Sequence, residues 1–179
     1  MDIANENKQR FFFGHSESIV CFSFNNDGSL IVSGQEGQNP MIRIWDYDSG
    51  KCVCIIQCEM AALKCVSFSP DSNFLATAGK DHNNWEQIVV WDISGVLKDI
   101  KPTILAKQVS DFNILTLKFS PFDNFKMASC GKENIRFWRI KNQFIQGSAV
   151  VLNQHAWNTI FTDLDFEFGF KSSDPVENE

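Results

Sequence analysis

Three histidines, His15, His82 and His155, are the side chains of this 179-residue sequence best suited to proton transfer. A catalytic relay needs a nucleophile, a base and an orienting acid within hydrogen-bond reach of one another. The histidines fall in three different parts of the chain, and no serine sits in a Gly-x-Ser-x-Gly elbow. Gly79-Lys80 and Gly131-Lys132 lack the glycine spacing and the hydroxyl of a phosphate-cradling loop. No catalytic chemistry and no cofactor is expected.

Metal chemistry is the next possibility. Six cysteines are present, and Cys52, Cys54 and Cys58 form the one close cluster. Alternation along a strand gives Cys52 and Cys54 a common face, a geometry that a metal could use. No second pair at ligand spacing accompanies them. A thiol without such a partner packs as a small buried hydrophobe, so the expectation is reduced core cysteines and no metal.

The chemistry that does recur is the burial of indoles. Ile42-Arg43-Ile44-Trp45-Asp46 returns as Ile88-Val89-Val90-Trp91-Asp92 and as Ile135-Arg136-Phe137-Trp138-Arg139, with the tryptophans 46 and 47 residues apart. A buried indole N–H needs an acceptor. Six residues after each turn aspartate (Asp27, Asp71, Asp123) stands a hydroxyl: Ser33, Thr77 and Ser129. Each hydroxyl is assigned to the tryptophan of its own unit. Four positions further on, an acid can brace the histidine of a Gly-His; those places hold Gly37, Asp81 and Glu133, and only the first unit has its Gly14-His15. The polar bracing is therefore incomplete.

Elements of a definite kind must position these groups. A period near 45 residues with Trp-Asp closing a strand marks a four-stranded propeller blade. Strands are expected at 10–13, 19–24, 29–34, 41–46 and 51–57, then 63–68, 74–79, 87–92 and 103–107. A third set follows at 114–119, 125–130, 134–139 and 144–152, and 161–166 opens a fourth. Asn25-Asn26-Asp27-Gly28 and Ser69-Pro70-Asp71-Ser72 are turn signals. The reading is an all-β, WD-repeat β-propeller segment with an incomplete ring. Its blades span about 14–57, 58–107 and 108–152, with the next beginning at 159–168. A polar lead-in (1–9) and an acidic tail (171–179) flank residues 10–170.

Net charge is −6 but uneven: residues 101–150 carry eight basic and three acidic side chains. The overall acidity argues against nucleic acid as a partner. No apolar run approaches the ~18 residues needed to span a bilayer, and no secretory leader is expected. The basic stretch holding Lys126, Lys132, Arg136, Arg139 and Lys141 is where an acidic partner could dock; a solvated strand face is the other reading. The distance from hydroxyl to tryptophan is 12, 14 and 9 residues in the three units, which locates the variation between second and third strands. The longest version, 80–86, holds His82 and Trp85. Trp85 is either a rim contact for a partner or is tucked against its own blade. If it is a contact, His82, Lys132, Arg136 and Arg139 are its candidate companions.

The segments 9–15, 79–82, 127–131, 136–139 and 161–166 resemble those of WD-repeat proteins of the centriole wall, the proteome-of-centriole family. A weaker resemblance is to ciliary inner-junction WD-repeat proteins. The resemblance implies a structural, microtubule-associated role at centriole, basal body or axoneme, with tubulin or inner-scaffold proteins as partners and a cytoskeletal location. A closed propeller takes about 4–8 blades. The remainder of the ring is therefore expected from the same longer chain or from a neighbouring subunit. The competing reading is a soluble WD-repeat adaptor, for example a ubiquitin-ligase substrate receptor.

Overall fold

Turn chemistry sets the strand boundaries. In the computed structural model, which describes residues 10–167, all three turn aspartates accept a backbone N–H two residues on. Asp27 Oδ1 receives Ser29 N, Asp71 Oδ1 receives Asn73 N, and Asp123 Oδ1 receives Phe125 N, each at 2.9–3.0 Å. Gly28 supplies the left-handed conformation of the first turn at φ 74°. Ser72 adopts it at the equivalent place in the second, at φ 61°.

Between the turns run, among the described residues, twelve strands in three four-stranded antiparallel sheets. The first contains β1 (Ile19–Phe24), β2 (Leu30–Gln35), β3 (Met41–Asp46) and β4 (Cys52–Gln57) in that spatial order. The second contains β5 (Ala62–Phe68), β6 (Phe74–Lys80), β7 (Glu86–Asp92) and β8 (Thr103–Ser110). The third contains β9 (Thr116–Ser120), β10 (Asp123–Gly131), β11 (Asn134–Lys141) and β12 (Phe144–Ala149). Short 3-10 turns at Val96–Lys98 and Asn153–Ala156 interrupt the connections. The all-β, blade-by-blade reading of the sequence describes this architecture, and the sheets form an open arc.

Alternation along each strand creates two interior faces. Ile42, Ile44 and Val32 of the first sheet meet Val66, Leu75, Val89 and Trp91 of the second. Ala76, Ile88 and Val90 leave the second sheet's other face to meet Leu117, Met127, Trp138 and Ile140. Each fully buried aliphatic side chain contributes about 1.5–3 kcal/mol. The inner strands β1, β5 and β9 stand side by side and line a cleft of about 680 Å³.

Two expected strands are absent. Residues 10–13 join no ladder; Phe12 instead packs edge-on against Trp45 at 5.6 Å, and Arg10 Nη1 donates to the Tyr47 carbonyl at 2.5 Å. No described strand lies beyond β1–β4 for this segment to pair with, so it lies as a cover on the outward face of the first sheet. Residues 161–166 behave alike against the third sheet, with one bridge at Lys132–Ile160. Phe161 N donates to the Gly131 carbonyl, Thr116 Oγ1 to the Thr162 carbonyl, and Lys118 faces Asp163 and Asp165 at 3.3 and 3.8 Å. The lead-in at 1–9, the acidic tail at 171–179 and position 168 of the fourth unit lie outside the described residues.

Candidate functional site

Each indole finds the hydroxyl assigned to it. Trp45 Nε1 donates to Ser33 Oγ at 2.8 Å, Trp91 Nε1 to Thr77 Oγ1 at 3.2 Å, and Trp138 Nε1 to Ser129 Oγ at 2.7 Å. Thr77 passes its proton to the Val89 carbonyl at 3.2 Å. In the first sheet His15 extends the chain: Nδ1 donates to Gln35 Oε1 at 2.7 Å, and Nε2 accepts from the Ser33 hydroxyl at 2.6 Å. Gln35, buried at 2% exposure, thus does the bracing that the sequence pattern assigns to an acid. The equivalent positions in the other sheets are Gly79 and Gly131. There a Cβ would meet the Ala62 or Asn113 carbonyl oxygen at 2.0 Å, so backbone fills the space that His15 and Gln35 occupy in the first.

Asp81 braces no histidine. Its Oδ1 accepts the Asn83 and Trp85 backbone N–H groups at 2.8 and 2.9 Å, and its own N–H donates to the Trp85 carbonyl. Without a Gly-His in this unit, the carboxylate turns inward and closes its own loop. That loop is residues 81–85, five residues, the same length as 36–40 in the first sheet. The extra spacing comes from Lys80 and Glu86, which pair across the hairpin and raise the loop by one residue pair, about 3.4 Å. Glu86 is consequently a buried strand residue rather than part of an exposed loop.

Trp85, 51% exposed, closes this loop opposite Asp81, directly before β7. His15 and Trp85 lie at the same end of their sheets, since Ile19 pairs with Gln35 and Glu86 with Lys80. Between the second and third sheets Trp85 borders a groove of about 450 Å³ that also holds Asp111, Phe112 and Arg136. Arg136 is half-buried, its guanidinium stacked 3.1 Å above the Phe112 ring centre and 5.8 Å from Trp138. Burial lowers the Arg136 pKa from its ordinary value, and Asp111 opposes the shift. The group remains a cation at any pH of interest.

The other candidate companions are elsewhere. His82 lines a separate polar groove between the first and second sheets, with Asn39, Glu59, Asp81, Gln87 and Lys107. Arg139 projects from the face of β11 opposite to Arg136, exposed and three residues along the strand. Lys132 is exposed in the two-residue turn before β11 and does not line the Trp85 groove. Lys126 is held by Asp123 at 3.0 Å. The sequence reading placed these cations in one patch, but strand alternation divides them between two faces.

The cysteine pair also separates. A bulge shifts the β3–β4 register, so Cys54 lies opposite Ile44 and Cys52 opposite Trp45. Adjacent strand residues face opposite ways, hence the two thiols do too. Burial pushes the Cys21, Cys58 and Cys65 thiols up to about 12 and Cys54 to about 11. Thiols held in this way are poor metal ligands. Among the described residues no group of three or more His, Cys, Asp or Glu side chains could hold a metal ion.

One polar feature went unread in the sequence. Lys64 Nζ lies 2.5 Å from Glu86 Oε1 and 3.1 Å from the Ile114 carbonyl, while Asn113 Nδ2 donates to the same carboxylate oxygen at 3.3 Å. This cluster ties β5 and β7 to the segment entering β9. Lys64 alternates with apolar neighbours, as any solvated strand lysine does, so nothing in the sequence marks it as paired.

The fold resembles that of the Cps50 (Swd1) β-propeller domain of Myceliophteria thermophila, with a TM-score of 0.62 at 15% identity over 76% of this chain and 38% of that one. In sequence the chain is 32% identical to WD repeat-containing protein 90 of Xenopus tropicalis, over 96% of this chain and 9% of that protein. It is 29% identical to centriole proteome protein 16 of Chlamydomonas reinhardtii, over 90% of this chain and 8% of that protein. The chain thus spans under a tenth of the length of these two relatives. These relatives agree with the centriole-wall resemblance read from the sequence. Residues 8–169 match the family model of the echinoderm microtubule-associated protein first β-propeller, and the chain belongs to that family.

Proposed function

We propose that this chain is a non-catalytic scaffold segment of a propeller in the wall or inner scaffold of centriolar, basal-body or axonemal microtubules, working through protein–protein contacts. The observation that carries the reading is the presentation of Trp85. Its half-exposed indole stands on a loop that Asp81 has already ordered, above a groove holding Arg136. A pre-ordered aromatic loses little conformational freedom on binding, and tryptophan and arginine are the residues that most often dominate interface energetics. Relatives named for the centriole proteome and a family named for microtubule association supply the setting. The remainder of the ring comes from further blades of a longer chain or from a neighbouring subunit, which cover the outward faces of the first and third sheets.

Co-sedimentation tests this reading. The tagged protein in cell lysate is expected to pellet with isolated centrioles or doublet microtubules and to be depleted from the soluble fraction. Recovery of the whole pool in a soluble complex free of tubulin overturns it and favours the adaptor reading.

A further inference from the structure

We propose that the groove between the second and third sheets is a carboxylate-reading site for an acidic peptide segment, with Arg136 holding the carboxylate and Trp85 covering the neighbouring side chain. The inference rests on the reading of Trp85 as a contact residue and adds the chemistry of what it contacts.

Arg136 carries the argument. Its guanidinium is held flat by the Phe112 ring on one side, and the Trp138 indole lies nearby. Its Nε is buried without a hydrogen-bond partner, and no ion pair to Arg136 is present among the described residues. A planar, fixed, unpaired guanidinium presents a fork of donors that matches a carboxylate. Arg43, two residues before Trp45 and likewise with a buried, unpartnered Nε, shows what the same residue does beneath the segment that precedes β1. It lies 5.9 Å from Trp45, Gly14 sits closely enough that a Cβ there would be 3.0 Å from its Nη1, and its Nη1 points to Cys52 Sγ. Arg136 has the same relation to its own tryptophan, but it opens onto the groove that Trp85 borders.

Charge selects the occupant. Arg136 is the cation that lines the groove, and its unpaired donor fork favours a carboxylate over a basic group. Asp111 is the acidic side chain within the groove; it lies close enough to influence Arg136 but forms no ion pair with it. It would repel an incoming carboxylate. Removing it should therefore strengthen binding, an effect opposite in sign to that of removing Arg136.

Fluorescence anisotropy with the full chain and a labelled Glu-Glu-Phe-Glu-Glu peptide tests the site, with Gln-Gln-Phe-Gln-Gln as the uncharged probe. The acidic peptide should bind, and the uncharged one should bind at least about tenfold more weakly, as loss of a charge-assisted hydrogen bond implies. Arg136→Gln should weaken the acidic peptide by a similar factor, and Asp111→Asn should tighten it. Arg139→Gln, on the opposite face, should change it less than about twofold, as expected for an exposed, distant charge. Arg136→Lys keeps the charge but loses the fork, and should fall between wild type and Arg136→Gln; it also serves if the glutamine variant does not fold. Equal binding of both peptides, or equal losses in Arg136→Gln and Arg139→Gln, overturns the proposal. Loss of binding in Trp85→Ala with no change in Arg136→Gln overturns the carboxylate assignment and leaves Trp85 as a contact. No effect of either variant removes the contact reading as well.

Discussion

His15 Nε2 lies 2.6 Å from Ser33 Oγ, and that same oxygen receives the Trp45 indole N–H at 2.8 Å. The serine hydroxyl is therefore both donor and acceptor, and it joins the segment that precedes β1 to the end of β3. The His15 ring also meets the Trp45 indole edge-on at 6.0 Å. Replacing Ser33 by Ala strands a buried indole donor and a histidine acceptor together, at a cost of about 1–3 kcal/mol for each buried group left unpaired. Urea denaturation should show Ser33→Ala as more destabilising than Ser129→Ala, whose hydroxyl serves its indole alone. Equal losses would show that His15 adds nothing to the first sheet.

Lys64 and Glu86 make the second test. The pair is mostly withdrawn from solvent, with side chains 21% and 6% exposed. Lys64→Met leaves Glu86 buried beside Asn113 alone, and breaking such a pair costs about 3–5 kcal/mol. The double variant Lys64→Met/Glu86→Leu removes both charges and should recover most of that loss. Thermal melts of the two single variants and the double variant form the required cycle. A double variant no more stable than the worse single variant would place the value of the cluster in its hydrogen bonds.

Acid should release the 161–165 segment from the third sheet. The backbone N–H of Leu164 holds the Asp163 carboxyl below its ordinary value of 3.8; burial opposes this and Lys118 assists it. A carboxylate whose pKa is depressed in the folded state contributes stability above its unfolded pKa and loses it as pH falls through the folded one. Hydrogen-exchange protection of the Phe161 amide, bonded to the Gly131 carbonyl, should therefore be complete above pH 3.8 and decline below it. In Asp163→Asn the protection should be lower at neutral pH and should lose part of its acid dependence.

The outward faces should drive association. Phe22, Phe24 and Ile55 are 67%, 51% and 53% exposed on the first sheet, and Phe137 and Phe144 are 54% and 69% exposed on the third. Apolar groups left exposed on a sheet face promote self-association. Sedimentation velocity of the isolated chain should show species larger than 20.4 kDa, and Phe22→Asp with Phe137→Asp should shift the distribution toward monomer. A wild-type chain that stays monomeric across the accessible concentration range would contradict this.

What could be read in the sequence depended on whether the signal was local. β1 and β3 fall at their expected residues because turn aspartates and Trp-Asp closures mark their ends. The indole–hydroxyl pairs were legible because both partners recur at a fixed step from the same turn. The ends of the arc were not, since Arg10-Phe11-Phe12-Phe13 has the composition of a strand and only a missing neighbour prevents one. Gln35 was missed because glutamine replaces an acid two positions earlier than the pattern allows. The grouping of Trp85 with Arg136, and the exclusion of Arg139 from it, depends on which face of β11 each side chain takes once the second sheet is in place. The match to the echinoderm microtubule-associated family was likewise not singled out by the repeat pattern, which many propellers share.

The most direct test of the account is recruitment of the tagged protein to centrioles or axonemes when Trp85 is replaced by Ala. Trp85 is 51% exposed where the ordered 81–85 loop enters β7, and its backbone rather than its indole bonds Asp81. Trp85→Ala should reduce the centriolar or axonemal signal strongly, whereas Lys132→Gln, outside the groove, should leave it close to wild type. Unchanged localisation of a folded Trp85→Ala protein would contradict the account and leave the 81–85 loop as a raised hairpin with no partner.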